Sequence, residues 1–401
     1  TGFLILGSHN MTQLGISSLT GAGTLEFNGA LATQIGSYNV NTFQPSSTYI
    51  FNGTAQSVPS GTYGGITING GGSSLIGDIT VNGTLALNGI LNVGAHDLTI
   101  YSPITITPTK LTTDQTSGLA VNGNLPNVHI PSSVSQLSNL TINNSNITSA
   151  DGNIRVRNLY TQSNGFLNLG VNILEIGQSA IITGDIVRTG GAVRGAIKRW
   201  FANTTTSDKI FPLDNGFGAY SQAKISLTGA PSTGGSLTAI FHNSGSGLLP
   251  IGPNGTNRYI VASELHINIV NIAPQYWSIL SGDGLTGGIY NLDLTGDAIP
   301  NVLDLRYVTL IKRINSVNPW AWLNTNYSAT TGSNLNPVLH IKSGTSFSDF
   351  GVGGNTDNLL PIELASFTSS VIENDVTLNW TTNFEQNNSG FDIERKSTAL
   401  N

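Results

Sequence analysis

The sequence predicts an all-β protein, with an N-terminal β-solenoid or β-helix-like repeat region followed by β-sandwich modules. Three observations carry that expectation. Charged residues make up only 9% of the chain, against roughly a quarter in an average soluble protein; Asn, Thr, Ser and 48 glycines supply the polarity instead. Short β-branched runs alternate with Gly- and Asn-rich turns, a texture that favours strands over helices. And one stretch is written twice. Asn88-Gly-Ile-Leu-Asn-Val-Gly-Ala-His-Asp-Leu-Thr-Ile100 is answered by Asn164-Gly-Phe-Leu-Asn-Leu-Gly-Val-Asn-Ile-Leu-Glu-Ile176. Leu91 and Leu98 match Leu167 and Leu174 at a constant offset of 76 (167 − 91, 174 − 98).

Residues 1–185 read as the repeat region, with a duplicated unit at about 50–106 and 120–182. Phe51-Asn-Gly53 matches Val121-Asn-Gly123, and Ile66-Thr-Ile-Asn69 matches Leu140-Thr-Ile-Asn143. Gly77-Asp-Ile-Thr-Val81 likewise matches Gly152-Asn-Ile-Arg-Val156, and the drifting offsets place small insertions between strands. Period-2 alternation puts Leu85 and Leu87 on one face, Thr84 and Ala86 on the other. An Asn-Gly pair usually marks a tight hairpin, but here the pairs recur too closely for hairpin arms. Solenoid rungs fit that spacing; a stack of short hairpins is the alternative.

Residues 186–255 form a first sandwich module, with Val193–Phe201, Ala223–Thr228 and Ser236–Phe241 as strands, and 256–355 form a second. The second carries longer strands at Glu264–Val270, Tyr276–Leu280, Tyr290–Leu294 and Val338–Lys342. Gly351-Val-Gly-Gly-Asn-Thr356 reads as a linker before a last segment, 356–401. The basic cluster Arg188, Arg194, Lys198 and Arg199 reads as a solvated strand edge guarded by charge.

Some of these segments are familiar. Tyr49–Thr54, Ile66–Asn69 and Gly77–Leu85 resemble the strand repeats of large secreted Bacteroidetes-type surface proteins. Leu360-Pro-Ile-Glu-Leu-Ala-Ser-Phe367, Val376-Thr-Leu-Asn-Trp380 and Asn388–Arg395 resemble the start of a fibronectin-like domain in type IX secretion substrates. The resemblance implies immunoglobulin- or fibronectin-like sandwiches, export to the cell surface and contact with outer-membrane secretion machinery. It names no ligand and no catalytic residue. A fibronectin-like sandwich needs about seven strands, and 356–401 offers about three, an incomplete fibronectin type III-like segment.

The totals restrict function further. A net charge of −6 argues against nucleic acid as a partner. With no cysteine there is neither disulfide nor thiolate chemistry, and no apolar run of about 18 residues predicts a transmembrane helix. The chain opens on Thr1, as a trimmed exported protein or a fragment would. His9, His96, His129, His242, His266 and His340 are scattered, no P-loop, His-Glu-x-x-His or Gly-x-Ser-x-Gly motif occurs, and no cofactor is expected. Acids are sparse in the repeats (Asp78, Asp97, Asp151, Glu175), so an enzyme is not expected.

Four readings name residues. Asp283, Asp293, Asp297 and Asp304 are weak calcium candidates, lacking the dense spacing of a dedicated loop. Trp320 and Trp322 read either as core or, if exposed, as a glycan-stacking platform. Phe3, Leu4, Ile5 and Leu6 form a short apolar strand with no evident home, and Phe367, Leu378 and Trp380 belong to a sandwich short of strands. Donation of the first to the second in a neighbouring copy would make a head-to-tail filament. The expected function is thus a non-enzymatic extracellular structural subunit of a self-associating surface filament or layer; the alternative is a monomeric adhesin for surface glycans.

Overall fold

The computed structural model describes residues 2–6, 23–28, 47–102, 104–106, 109–214, 220–243, 258–261, 265–269, 271–297, 299, 302–323, 327–354, 364–372, 375–382 and 393. It is all-β, 63% strand and 1% helix, so the composition argument holds. Its N-terminal part is a β-solenoid of about 8 turns.

In the early turns each circuit lays one short strand in each of three parallel sheets. Thr48–Phe51, Gly65–Ile68, Leu85–Leu87 and Ile104–Ile106 stack on side A; Ser57–Val58, Ser73–Leu75, Leu91–Asn92 and Leu111–Thr112 on side B; Gly61–Tyr63, Ile79–Val81, Asp97–Ile100 and Gly118–Gly123 on side C. Three-residue strands suffice because only the first and third side chains point inward, as the buried–half-buried–buried pattern of Ile79–Val81 and Leu85–Leu87 shows. Apolar residues therefore stack in columns. On side C one column runs Ile79, Leu98, Leu119, Leu140, Tyr160, every member buried.

Asn-Gly pairs form the corners. Asn52 Nδ2 donates to Asn28 Oδ1 at 2.8 Å, Asn69 to Asn52 at 2.6 Å and Asn88 to Asn69 at 2.7 Å, an amide ladder up one edge. The glycine after each asparagine lets successive turns touch: a Cβ on Gly70 would lie 1.8 Å from Gly53 O, and one on Gly89 1.9 Å from Gly70 O. Any side chain there would hold the turns apart.

The duplicated stretches do not occupy equivalent places. Ile66 lies on side A, whereas its sequence match Leu140 lies in the side C column, and Phe51 and Val121 differ in the same way. The column through Leu98 reaches Tyr160, while Leu174, its sequence match, pairs with Ile197. Steps along that column are 19, 21, 21 and 20 residues (98 − 79, 119 − 98, 140 − 119, 160 − 140). An offset of 76 therefore falls out of step with the turns. In the later turns the strands lengthen and bend, to Gln136–Ala150 and Ile154–Ile176.

Ala192–Phe201 is where the solenoid ends and a different arrangement begins. It pairs in parallel with Ile154–Ile176 and, on its other edge, antiparallel with Gly235–His242. The same sheet continues antiparallel through Asn271–Gly282, Asp349–Gly354, Val308–Arg313 and Ala321–Trp322. A second antiparallel sheet holds Asp208–Phe211, Ala223–Gly229, Ile289–Thr295, Pro337–Gly344 and Tyr327–Gly332. Strands from 186–255 and from 256–355 share both sheets, and the stretch read as a linker, from Gly351, is partly strand. One contiguous apolar core runs from Leu25 in the solenoid to Val352.

Two expectations need correction. The N-terminal strand does have a home: Gly2–Leu6 pairs in parallel with Gly23–Phe27 as the outermost described strand of side A. And the basic cluster is not a solvated edge, because Ala192–Phe201 is paired on both sides. Arg199 is 1% exposed; its Nη1 donates to Ile210 O and its Nη2 to Asp185 Oδ1, at 2.8 and 2.7 Å. Arg194 Nε donates to the buried Asp214 at 2.7 Å, and the Arg188 guanidinium lies 3.5 Å from the Tyr220 ring centroid. These long cations bind together the place where the chain changes partner.

Candidate functional site

A cleft of about 310 Å³ opens on the outward face of the last solenoid turns, lined by Ser135, Gln136, Asn153, Ile154, Arg155, Ile173, Glu175 and Lys198. Rung stacking positions its charges. Gln136 pairs in register with Arg155, and Glu175 with Lys198. Arg155 Nε donates to Glu175 Oε2 at 2.8 Å, joining the two pairs. Trp200 Nε1 donates to Glu175 Oε1 at 2.8 Å. Lys198 Nζ lies 3.3 Å from Glu175 and 2.8 Å from Asp283, a residue that also accepts from Ser236 Oγ at 2.6 Å.

The electrostatics follow from those distances. Burial pushes the Glu175 carboxyl up, but hydrogen bonds from Trp200 and Arg155 and the Arg155 and Lys198 charges outweigh it and hold it below the usual range. Asp283 is held low by its hydrogen bonds from Lys198 and Ser236. Lys198 loses to desolvation, yet Asp283 and Glu175 raise it overall. The result is two cations and two carboxylates compensating one another. Amides and Ser135 complete the lining, with Ile154 and Ile173 as its apolar part.

Sequence reasoning named Glu175 and Lys198 only as one acid and one cation among several. A usable signal was present: Gln136, Arg155, Glu175 and Lys198 follow one another at 19, 20 and 23 residues (155 − 136, 175 − 155, 198 − 175), about one turn each.

The other candidates fare differently. Trp320 is 0% exposed, with Tyr276 edge-on at 6.1 Å and the Arg313 guanidinium 4.4 Å from its ring centroid, so it is core and offers no stacking face. The Trp322 side chain lies outside the described residues. The calcium candidates are engaged elsewhere and apart. Asp283 holds Lys198, Asp293 holds His340 Nδ1 at 2.7 Å, Asp297 accepts from Tyr220 N, and Asp304 pairs with Arg306. Among the described residues no group of three or more His, Asp or Glu could hold a metal. His340 Nε2 also meets Thr331 Oγ1 at 2.7 Å, completing a cross-strand row over the second antiparallel sheet. His129 pairs with Asp151 at 2.8 Å; His9 and the His266 side chain lie outside the described residues.

The proposed polymer contacts divide. The side chains of Phe3, Leu4, Ile5 and Leu6 lie outside the described residues. Leu364–Ile372 and Asp375–Thr382 form an antiparallel hairpin with no third strand among the described residues. Its register places Phe367 opposite Trp380, Ser369 opposite Leu378 and Val371 opposite Val376. One face thus carries an apolar stripe interrupted by Ser369, with Phe367 59% exposed, Val371 66%, Val376 59% and Trp380 37%. The other face carries Ser366, Thr368, Ser370, Thr377 and Asn379.

Comparison with protein-family models, with curated proteins and with solved structures finds no match for this chain. No helix among the described residues is long and apolar enough to cross a membrane.

Proposed function

We propose that this protein is a non-enzymatic structural subunit of an extracellular filament or layer, in which copies associate head to tail. The observation that carries this reading is the hairpin whose largely apolar face is exposed at Phe367, Val371 and Val376. A two-stranded hairpin is marginal alone and needs a third strand or a packed face, and large exposed apolar patches mark interaction sites. The complementary element is the strand Gly2–Leu6, whose outer edge has no partner among the described residues. In this reading the strand keeps its place on side A, and the apolar hairpin of the next copy packs across that end of the solenoid.

The rest of the molecule suits a spacer. About 8 stacked turns give a rigid rod, and a surface of amides and hydroxyls lets neighbours approach with little repulsion. The two antiparallel sheets would serve as an immunoglobulin- or fibronectin-like sandwich joining rod to hairpin, and export would follow the type IX route that the sequence motifs resemble.

Electron microscopy of protein purified without refolding tests the proposal. Regular fibres or sheets are expected from the natural chain, and dispersed particles from Phe367→Ser with Trp380→Ser. Single rods from the natural chain, or fibres unchanged by the double substitution, would sink it.

A further inference from the structure

We propose that the cleft at Arg155 and Glu175 is a binding site for an uncharged glycan. The inference does not depend on self-association, and it relocates glycan recognition from the tryptophans, where the sequence had suggested it, to the outward face of the solenoid.

Charge balance sets the ligand class. Arg155 and Lys198 are answered within hydrogen-bond distance by Glu175 and Asp283, so an anion or cation entering the cleft would meet no uncompensated partner and would lose its hydration. A neutral polyol avoids that cost. The polar groups offer both donors and acceptors in fixed places. Arg155 turns its Nε to Glu175, and its side chain remains 39% exposed; a guanidinium donates through a rigid fork. Asn153 accepts from Ile173 N through Oδ1 at 2.9 Å, which fixes its amide and leaves an NH₂ pair to donate. Gln136 is exposed beside them, with Ser135 adjacent. Paired donors and acceptors a few ångströms apart match vicinal hydroxyls, and Ile173 supplies an apolar patch for the C–H face of a sugar ring.

Rigidity is the second reason. Glu175 is pinned by three donors, and its neighbours stand on consecutive rungs joined by continuous backbone pairing. A site on stacked strands loses little entropy on binding, which is what a weak, hydroxyl-reading contact requires. The cleft volume, about 310 Å³, lies at the small end of ligand sites.

The test is a glycan array of neutral and acidic oligosaccharides probed with the full chain, followed by calorimetry on the best neutral hexasaccharide. Gln136→Trp fills the cleft from an exposed position, and Arg155→Gln keeps hydrogen-bonding capacity without the charge. Binding to at least one neutral class is expected, with affinity reduced ten-fold or more by Gln136→Trp and less by Arg155→Gln, while thermal melting of the Gln136→Trp protein is unchanged. No binding to any glycan, preferential binding to uronate or sulfated sugars, or affinity unaffected by Gln136→Trp would each overturn the proposal.

Discussion

The early solenoid turns and the junction at Ala192–Phe201 solve the same problem in opposite ways. Between Thr48 and Thr112 each turn finds a near-copy of itself above and below, so backbone groups, apolar columns and corner amides are satisfied by their equivalents. Charge is hardly used. At the junction the repeat stops, one strand serves a parallel neighbour on one edge and an antiparallel one on the other, and carbonyls such as Ile210 O lose their periodic partner. There the chain spends its few cations: Arg188, Arg194, Lys198, Arg199 and Lys209 all lie within or beside it. Periodicity makes charge unnecessary, and its loss makes charge useful.

That contrast can be broken most severely from the solenoid side. Gly70→Val would drive a side chain into Gly53 O, where the obstacle is backbone and cannot swing away. We expect loss of cooperative folding, seen as a missing far-ultraviolet circular dichroism transition. Gly71→Ala, one residue on with nothing within 4 Å, is the control and should melt as the natural protein does. If both behave alike, close stacking is not what the glycine provides.

Next in size is Arg199→Ala. It removes a fully buried guanidinium that donates to Ile210 O and to Asp185. Because the Asp185 side chain is 61% exposed and water can replace that bond, the loss is roughly 1–3 kcal/mol. All five tryptophans lie at or beyond residue 200, so fluorescence reads the junction side alone. The tryptophan transition should move to lower denaturant. A shift under about 1 kcal/mol would mean the arginine is dispensable.

Acid should separate the regions more gently. Burial raises the Asp185 carboxyl, but hydrogen bonds from Ile186 N and Arg199 and the Lys209 and Arg199 charges bring it below the usual range, and Glu175 behaves likewise. A carboxylate depressed in the folded state stabilises above its unfolded value, about 4, and that contribution is lost as pH falls through the folded one. In the early turns the signs oppose each other: burial and then Asp78 raise Asp97, while hydrogen bonds from Thr116 and Ser117 lower Asp114, so acid has little net effect there. Lowering the pH from 7 to 3 should therefore weaken the tryptophan-reported transition before the circular dichroism of the turns. Coincident losses would contradict this.

Smallest is Asn69→Ala. It removes one rung of an exposed amide ladder, about 1 kcal/mol. A midpoint unchanged within error would show that water replaces the ladder without loss.

Much of the solenoid was legible because its signal is local: an inward–outward–inward triplet such as Leu85-Ala-Leu87 declares a short strand wherever it stands. The period was harder to see. Resemblance between segments reports that both are rungs, not which side they occupy, so a 76-residue match concealed steps of 19 to 21. The junction was illegible for a different reason. Arg199 reads as a surface residue by composition, and only long-range pairing with Gly235–His242 reveals that it is enclosed. The cleft sat between these cases. Its residues follow the turn spacing, yet the ion pairs that define it depend on Asp283, 85 positions beyond Lys198 (283 − 198).

The mismatch between the copied segments and the turns has a consequence for how such a chain can change over generations. Phe51 and Val121 do the same inward job on different sides of the same tube. The sides are interchangeable to the sequence, so a copied piece need not measure a whole circuit to be accommodated; it must only end at a corner. Length in this fold can be inherited in increments of a single wall.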